Sequence, residues 1–438
     1  MVQVFHFTLG YPLNEISILA VRYSGWPLVS TILRLRVLVA RPSKTQTKME
    51  THERRARLHT SLYSLITLVA ITFQLASATP SLTDDSKCEC YLTNGTKASF
   101  FETHRFLDFR NLEKHANVPP TISKSNDSGS APVTSAYFTT DEWTDTFWVQ
   151  NWNNSHVTRE DATVLMVNSP NNVYIESNLD LHASSQTWLT LRTQRLKDFQ
   201  TAAEIESVAP GFQYLSVRML ARTIGSPGAV TALFTYRGAD KLADVQESDL
   251  EVRTMDPPNT IQYTNQPSYT EDGDEIPNAT KNVTLPDGHP NWTEWAVHRL
   301  DWTPKETIWY VDGTEVAHIS FQTPRDPSKV ILNAWSDGGE WSGNMTVDHA
   351  AYLQIQWLEM VYNATDENPA KKKRDDDDDD DEEGSCDVVC SIDETTERGK
   401  PVMLWDNGGV RTVTGGLIAW IPSLTVLGML ALSSGELW

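Results

Sequence analysis

The chain has 438 residues, with 36 basic and 58 acidic side chains, a formal charge of -22, and 15 Trp and 13 Tyr. That length supports one large domain or two ordinary ones with a real core. The acidic balance argues against a nucleic-acid partner, because phosphate binding needs a basic surface, whereas abundant aromatics suit β-sheets and sugar-stacking surfaces.

From the N-terminus, residues 1–48 carry apolar pieces interrupted by Arg22, Arg34 and Arg36. They read as an extension of the gene model ahead of a working start at Met49. Residues 49–78 then show a secretory address: Arg54, Arg55 and Arg57, an apolar stretch from Leu62 to Leu75, and Ala76-Ser77-Ala78 as a cleavage site. Secretion is therefore expected. Eight N-x-S/T sequons follow, at Asn94, Asn126, Asn153, Asn278, Asn282, Asn291, Asn344 and Asn363, and predict exposed, glycosylated positions in a secreted chain.

Residues 79–129 form an N-terminal segment holding Cys88 and Cys90, and the other two cysteines are Cys386 and Cys390. In an oxidising compartment two such pairs favour disulfides over metal ligands. Four cysteines allow three connectivities. A Cys88–Cys90 bridge would close a very tight loop, so two bridges between the N-terminal edge and the C-terminal segment are expected.

Residues 130–365 read as all-β. Runs such as "TWLTLRTQ", "QYLSVRMLAR" and "VTALFTYRG" alternate apolar and polar residues between turn signals. Asp312-Gly313, inside "WYVDGTEV", predicts a two-residue hairpin turn with positive φ. Two packed antiparallel sheets follow as the architecture. In "VQESDLEV" the acids Glu247, Asp249 and Glu251 alternate with Ser248, Leu250 and Val252, so a strand would place all three acids on one face. Alternation alone is equally the mark of a solvated sheet face over a core.

Three ordered motifs, "ESDLE", "LDWTPKETIWYVDG" and "ILNAWSDGG", resemble glycoside hydrolase family 16, and most of all its secreted fungal members. The resemblance implies a concanavalin A-like β-jelly roll and a retaining endo-acting β-glucan hydrolase. By resemblance Glu247 is the nucleophile, Glu251 the acid and then base, and Asp249 the neighbour that tunes the nucleophile. Retaining enzymes hold their carboxyl groups about 5 to 5.5 Å apart, which two long glutamates on one strand face reach by leaning toward each other along the strand. Three acids so close do not all ionise readily. Asn333 and Trp335, in "N-x-W", and Tyr263 and Asn265, on the strand after the acids, are expected to bind sugar. His298 is either a cleft residue or a structural histidine, and Trp143, Trp148, Trp152 and Trp341 are further stacking candidates. Ser248 replaces an aliphatic residue found in many family members. The unbulged acid spacing is closer to mixed-linkage glucanases and transglycosylases.

The implied partner is a polysaccharide, a β-glucan or related wall glycan, with no metal, no cofactor and a monomeric enzyme. A cell-wall transglycosylase using the same intermediate, or a lectin-like glucan-binding wall protein, are the alternatives. Beyond the domain, residues 366–406 carry "KKKR", the run "DDDDDDDEE" at 375–383 and the second cysteine pair, as an acidic linker. Residues 407–438 offer small residues after Asn407, a polar spacer and an apolar stretch from Gly415 to Leu432, the pattern of a glycolipid-anchor signal. A membrane-spanning helix is the rival reading of that stretch. Either way the enzyme is expected to stay outside the cell, at its wall or surface.

Overall fold

The computed structural model describes residues 81–155, 160–208, 211–365, 386–395 and 397–406, with the backbone of 409–410. The expected extension and signal at 1–78, the acidic run and the apolar tail lie outside these residues.

Alternation sets the architecture. On the acid strand, Gln246–Arg253, Leu250 and Val252 are buried in the core while the acids lie on the other face. The same period of two repeats along each neighbour, so one face of the sheet is largely apolar and packs inward. The first layer runs, strand beside strand, through Thr280–Thr284, Thr260–Gln266, Gln246–Arg253, Val230–Arg237, Lys329–Trp335 and Gln200–Ser207. Two pairings, Gln194 with Thr201 and Arg195 with Gln200, carry the sheet round into the second layer. That layer continues through Thr187–Arg195, Ala350–Ala364, Phe212–Gly225, Ala296–Trp302, Thr307–Val311 and Thr314–Ile319. The strip thus folds on itself as a nearly closed β-jelly-roll sandwich. Leu233, Leu250, Ile261 and Leu332 from the first layer meet Val217, Met219, Leu300 and Leu353 from the second in one buried cluster. At roughly 2 kcal/mol per buried large apolar side chain, this cluster dominates the favourable side of folding.

The hairpin is where the dipeptide predicts it. Asp312 and Gly313 have φ of 47° and 77° and join Thr307–Val311 to Thr314–Ile319. Asp312 Oδ1 also accepts a hydrogen bond from the Val297 amide at 2.8 Å, which ties the turn to the next strand.

The segment before residue 130 supplies Thr103–Asp108, which pairs with the long strand Ala350–Ala364 in the second layer. A separate five-stranded sheet gathers both ends: Cys90–Leu92 lies parallel to Val388–Ser391, flanked by Phe100–Phe101 on one side and Val402–Asp406 on the other. Two disulfides fasten it, Cys88–Cys390 with Cα atoms 5.7 Å apart and Cys90–Cys386 at 5.9 Å. The bridges join the N-terminal edge to the C-terminal segment, as the spacing predicts.

Candidate active site

The acid strand pairs without a bulge along its whole length with Val230–Arg237. Tyr236 lies opposite Glu247, Phe234 opposite Asp249 and Ala232 opposite Glu251. On its other side Gln266, Thr264 and Gln262 face the same three acids. An unbroken register keeps the period of two intact, so Glu247, Asp249 and Glu251 share one face. Beneath them Ser248 is fully buried, and its Oγ donates to Asn265 Oδ1 at 2.6 Å. The same oxygen accepts from Thr307 Oγ1 at 2.7 Å, and the Asn265 amide donates to the Phe321 carbonyl at 2.9 Å. Where an aliphatic residue would simply fill space, this chain holds the acid strand down through a satisfied polar network.

Burial is the largest influence on the acids. It raises the Glu247 carboxyl, against a hydrogen bond from Asp249 that lowers it, and Glu251 adds a further rise. Asp249 is pushed well above the usual carboxylate range, first by burial and then by the charges of Glu247 and Glu251. Both acids therefore hold their protons more tightly than ordinary carboxyls, with a hydrogen bond between them that raises Asp249 and lowers Glu247. Gln266 Nε2 donates to Asp249 Oδ2 at 3.2 Å, which helps to hold the carboxyl in place.

Next to the acids, over Val230–Arg237, Lys329–Trp335 and Gln200–Ser207, lies an open groove of about 700 Å³ walled by Tyr236, Phe234, Ile331 and Trp152. Asn333 and Trp335 are on this face, because Asn333 pairs with Ala232 and Trp335 lies two residues further along. Three expected site residues are elsewhere. Tyr263 pairs with Leu250, is wholly buried and lies tilted against Trp309 with ring centroids 5.3 Å apart, so it faces the core. Asn265 pairs with Ser248 and belongs to the network just described. His298 is in the second layer, beside a small internal void of about 10 Å³ that Met219 and Leu250 also line. Burial lowers its pKa to about 4, opposed by Asp312, so it stays neutral inside the sandwich. Among the aromatics, Trp143 is in the core, Trp148 and Trp152 are exposed, and Trp341 carries the Arg253 guanidinium 4.7 Å above its ring.

The groove also contains residues that sequence reasoning passed over. Glu204 and Glu206 alternate on Gln200–Ser207 and cross the sheet opposite Asn333 and Ile331. Burial raises Glu204 to about 7, while Trp152 Nε1, donating at 2.8 Å, and Asn333 act against that rise. Lys329 pairs with Glu206 at 2.7 Å. The signal was present in "AEIES", the same alternation of acids that marks 247–251. Among the described residues no cluster of three or more His, Cys, Asp or Glu is arranged to hold a metal ion.

Comparison with known proteins bears on this arrangement. Residues 148–358 match the model of glycosyl hydrolases family 16. A β-glucanase of Bacillus subtilis is 25% identical over 184 residues, 42% of this chain and 72% of that protein. A xylanase/β-glucanase of Ruminococcus flavefaciens is 32% identical over 109 residues, 25% of this chain and 12% of that protein. The solved β-glucanase of Bacillus licheniformis aligns at 22% identity and a TM-score of 0.37, covering 50% of this chain and 94% of that one. The matched stretch holds the whole acid row and the groove beside it, and residues 148–358 are thereby a glycoside hydrolase family 16 domain, that of an enzyme that hydrolyses glycosidic bonds or transfers glycosyl groups.

Proposed function

We propose that the chain is a secreted β-glucan hydrolase that cuts within the polymer, retains anomeric configuration and works by double displacement. The β-glucanases among its relatives support the substrate class. The observation that carries the mechanism is the hydrogen bond between Glu247 and Asp249, whose carboxyl Gln266 holds in place. That hydrogen bond opposes the rise that burial gives the Glu247 carboxyl and fixes its orientation, which suits a group that must ionise to attack.

In this reading a glucan chain crosses the strands, with sugars over Tyr236, Phe234 and Trp152. Glu247 attacks the anomeric carbon while Glu251, four residues along the strand on the same face, gives its proton to the departing glycosidic oxygen. The first product leaves, and a glycosyl ester remains on Glu247. Glu251, now a carboxylate, takes a proton from water as the water attacks the same carbon. Two inversions retain configuration. Asn333 and Trp335 lie on the same face and position the sugar, and Glu204 in the groove offers a carboxyl for hydroxyl groups.

Secretion is supported by the address at 49–78 and by disulfides that suit an oxidising compartment. Retention at the cell wall or surface, by a glycolipid anchor attached near Asn407, is supported by the composition of 407–438.

The test separates the two glutamates. Glu247→Ala is expected to abolish turnover, with azide restoring reaction only by direct attack and an inverted product. Glu251→Ala should still form the intermediate from substrates with very good leaving groups, and azide should intercept it to give a retained product. Inverted azide product from the Glu251 variant, or inversion by the native enzyme, would show the roles to be wrong. Product analysis with an oligosaccharide acceptor reads hydrolysis against transfer in the same experiment.

A further inference from the structure

The sequon Asn282-Val283-Thr284 lies within the strand Thr280–Thr284, at the outer edge of the first layer. Two contacts fix which way it faces. Thr280 Oγ1 and Thr264 Oγ1 are 3.1 Å apart, and Thr264 pairs with Asp249, so Thr280 is on the acid-bearing face. Val283 packs against the core. Asn282, with the parity of Thr280 and opposite to Val283, therefore projects on the side of the acids, and it is exposed. It pairs with Gln262, which pairs with Glu251. Two strand spacings, roughly 10 Å, separate Asn282 from the Glu251 position. The groove of about 700 Å³ lies on the opposite side of the acid row.

We propose that Asn282 is N-glycosylated and that its glycan stands over this far side of the cleft, limiting the length of glucan that can be bound there. The inference rests on the secretion proposed above. In the secretory pathway an oligosaccharide passes from a lipid pyrophosphate carrier to Asn282 Nδ2. The bond from its anomeric carbon to the pyrophosphate oxygen breaks, a bond from that carbon to nitrogen forms, the amide loses one proton, and lipid pyrophosphate leaves. The added chain is bulky and solvated. Standing on an edge strand, it also shields backbone groups that would otherwise recruit another strand. The enzyme then has a long open groove on one side of its acids and a roofed, short one on the other.

The experiment uses the full chain from a eukaryotic secretory host, as the native sequence and as Asn282→Gln and Thr284→Ala. Both variants remove the sequon and only one alters Asn282. Glycopeptide mapping should find Asn282 occupied in the native protein alone. Against polymeric β-glucan, both variants should lower KM by roughly threefold or more, with kcat on a short chromogenic oligosaccharide unchanged. Equal KM for polymer in all three proteins overturns the role in the cleft. An unmodified Asn282 beside occupied Asn278 or Asn344 overturns the proposal and leaves secretion standing. A chain with no occupied sequon overturns both.

Discussion

Asp249 is the shortest acid of the row and the one whose chemistry is most constrained. It sits between two glutamates, is 3% exposed, receives the Gln266 amide on one oxygen and shares a hydrogen bond with Glu247. The value of that bond follows from its removal. Asp249→Ala deletes the hydrogen bond that lowers Glu247, so the acidic limb of the kcat/KM profile should move to higher pH, and activity at the optimum should fall roughly tenfold or more. Asp249→Asn keeps a donor toward Glu247 and should hold the limb close to its native position. If Asn and Ala variants shift alike, the hydrogen bond is not what Asp249 supplies. At this scale the shared face of the three acids was legible, because alternation fixes parity within a strand, and Asn333 and Trp335, two strands away, fall on that same face. The faces of Tyr263 and Asn265 were not legible. Their parity relative to the acids depends on the register between two strands, which a single residue of slip reverses, and the true partners of the acids are Gln262, Thr264 and Gln266. His298 has a regular alternation of its own, but in the layer that does not carry the site.

Elements are joined at the back of the sandwich by charge. The outward face of the second layer presents Arg218 and Glu359, and the small sheet's Asp393 meets Arg218 Nη1 at 2.7 Å and Arg299 Nη1 at 3.2 Å. His104 bridges Asp85 at 2.7 Å and Glu359 at 3.1 Å, and the Glu359 carboxylate also takes Arg218 Nη2 at 2.7 Å. Burial alone would lower the His104 pKa, but its bonds to Asp85 and Glu359 outweigh that and raise it to about 8. Burial likewise raises Asp85 and Glu359, and in both the bonds to His104 help turn the balance downward. The signs decide the pH window. A histidine raised from 6.5 to about 8 contributes stability that is complete below pH 6.5 and lost as pH rises through 8, by up to about 2 kcal/mol. The two carboxylates, lowered on folding, contribute above their ordinary values and lose that contribution in acid. Thermal melts between pH 6.5 and 9 should therefore show falling stability that His104→Gln flattens. An unchanged slope in that variant would place the pH dependence elsewhere. None of this network could be read from sequence, since its members are dispersed from 85 to 393 and form no pattern along the chain.

For the whole molecule, alternation and turn chemistry were enough to predict two packed sheets, but not that one strip of strands turns a corner between Thr187–Arg195 and Gln200–Ser207. That corner is a matter of strand order, which local periodicity does not encode. The cysteines are the opposite case: four residues far apart in sequence stated in advance that the ends meet. Their energetics should be cooperative. Each bridge spans about three hundred residues, 302 for Cys88–Cys390 and 296 for Cys90–Cys386, and either one alone closes the long loop. With one in place, the other closes only the few residues between the two bridges. Chain entropy gives about 5 kcal/mol or slightly more for the long loop and about 2 kcal/mol for the short one. Replacing Cys88 and Cys390 by Ser should therefore cost about 2 kcal/mol, and replacing Cys90 and Cys386 about the same, whereas losing all four should cost about 7 kcal/mol, well above the sum. Denaturant unfolding of the three variants measures this directly. Activity per folded molecule should be unchanged, because the small sheet docks on the outward face of the second layer and the acids lie on the outward face of the first. Strictly additive losses would mean that each bridge acts separately through the folded state, and not by closing one shared loop in the unfolded chain.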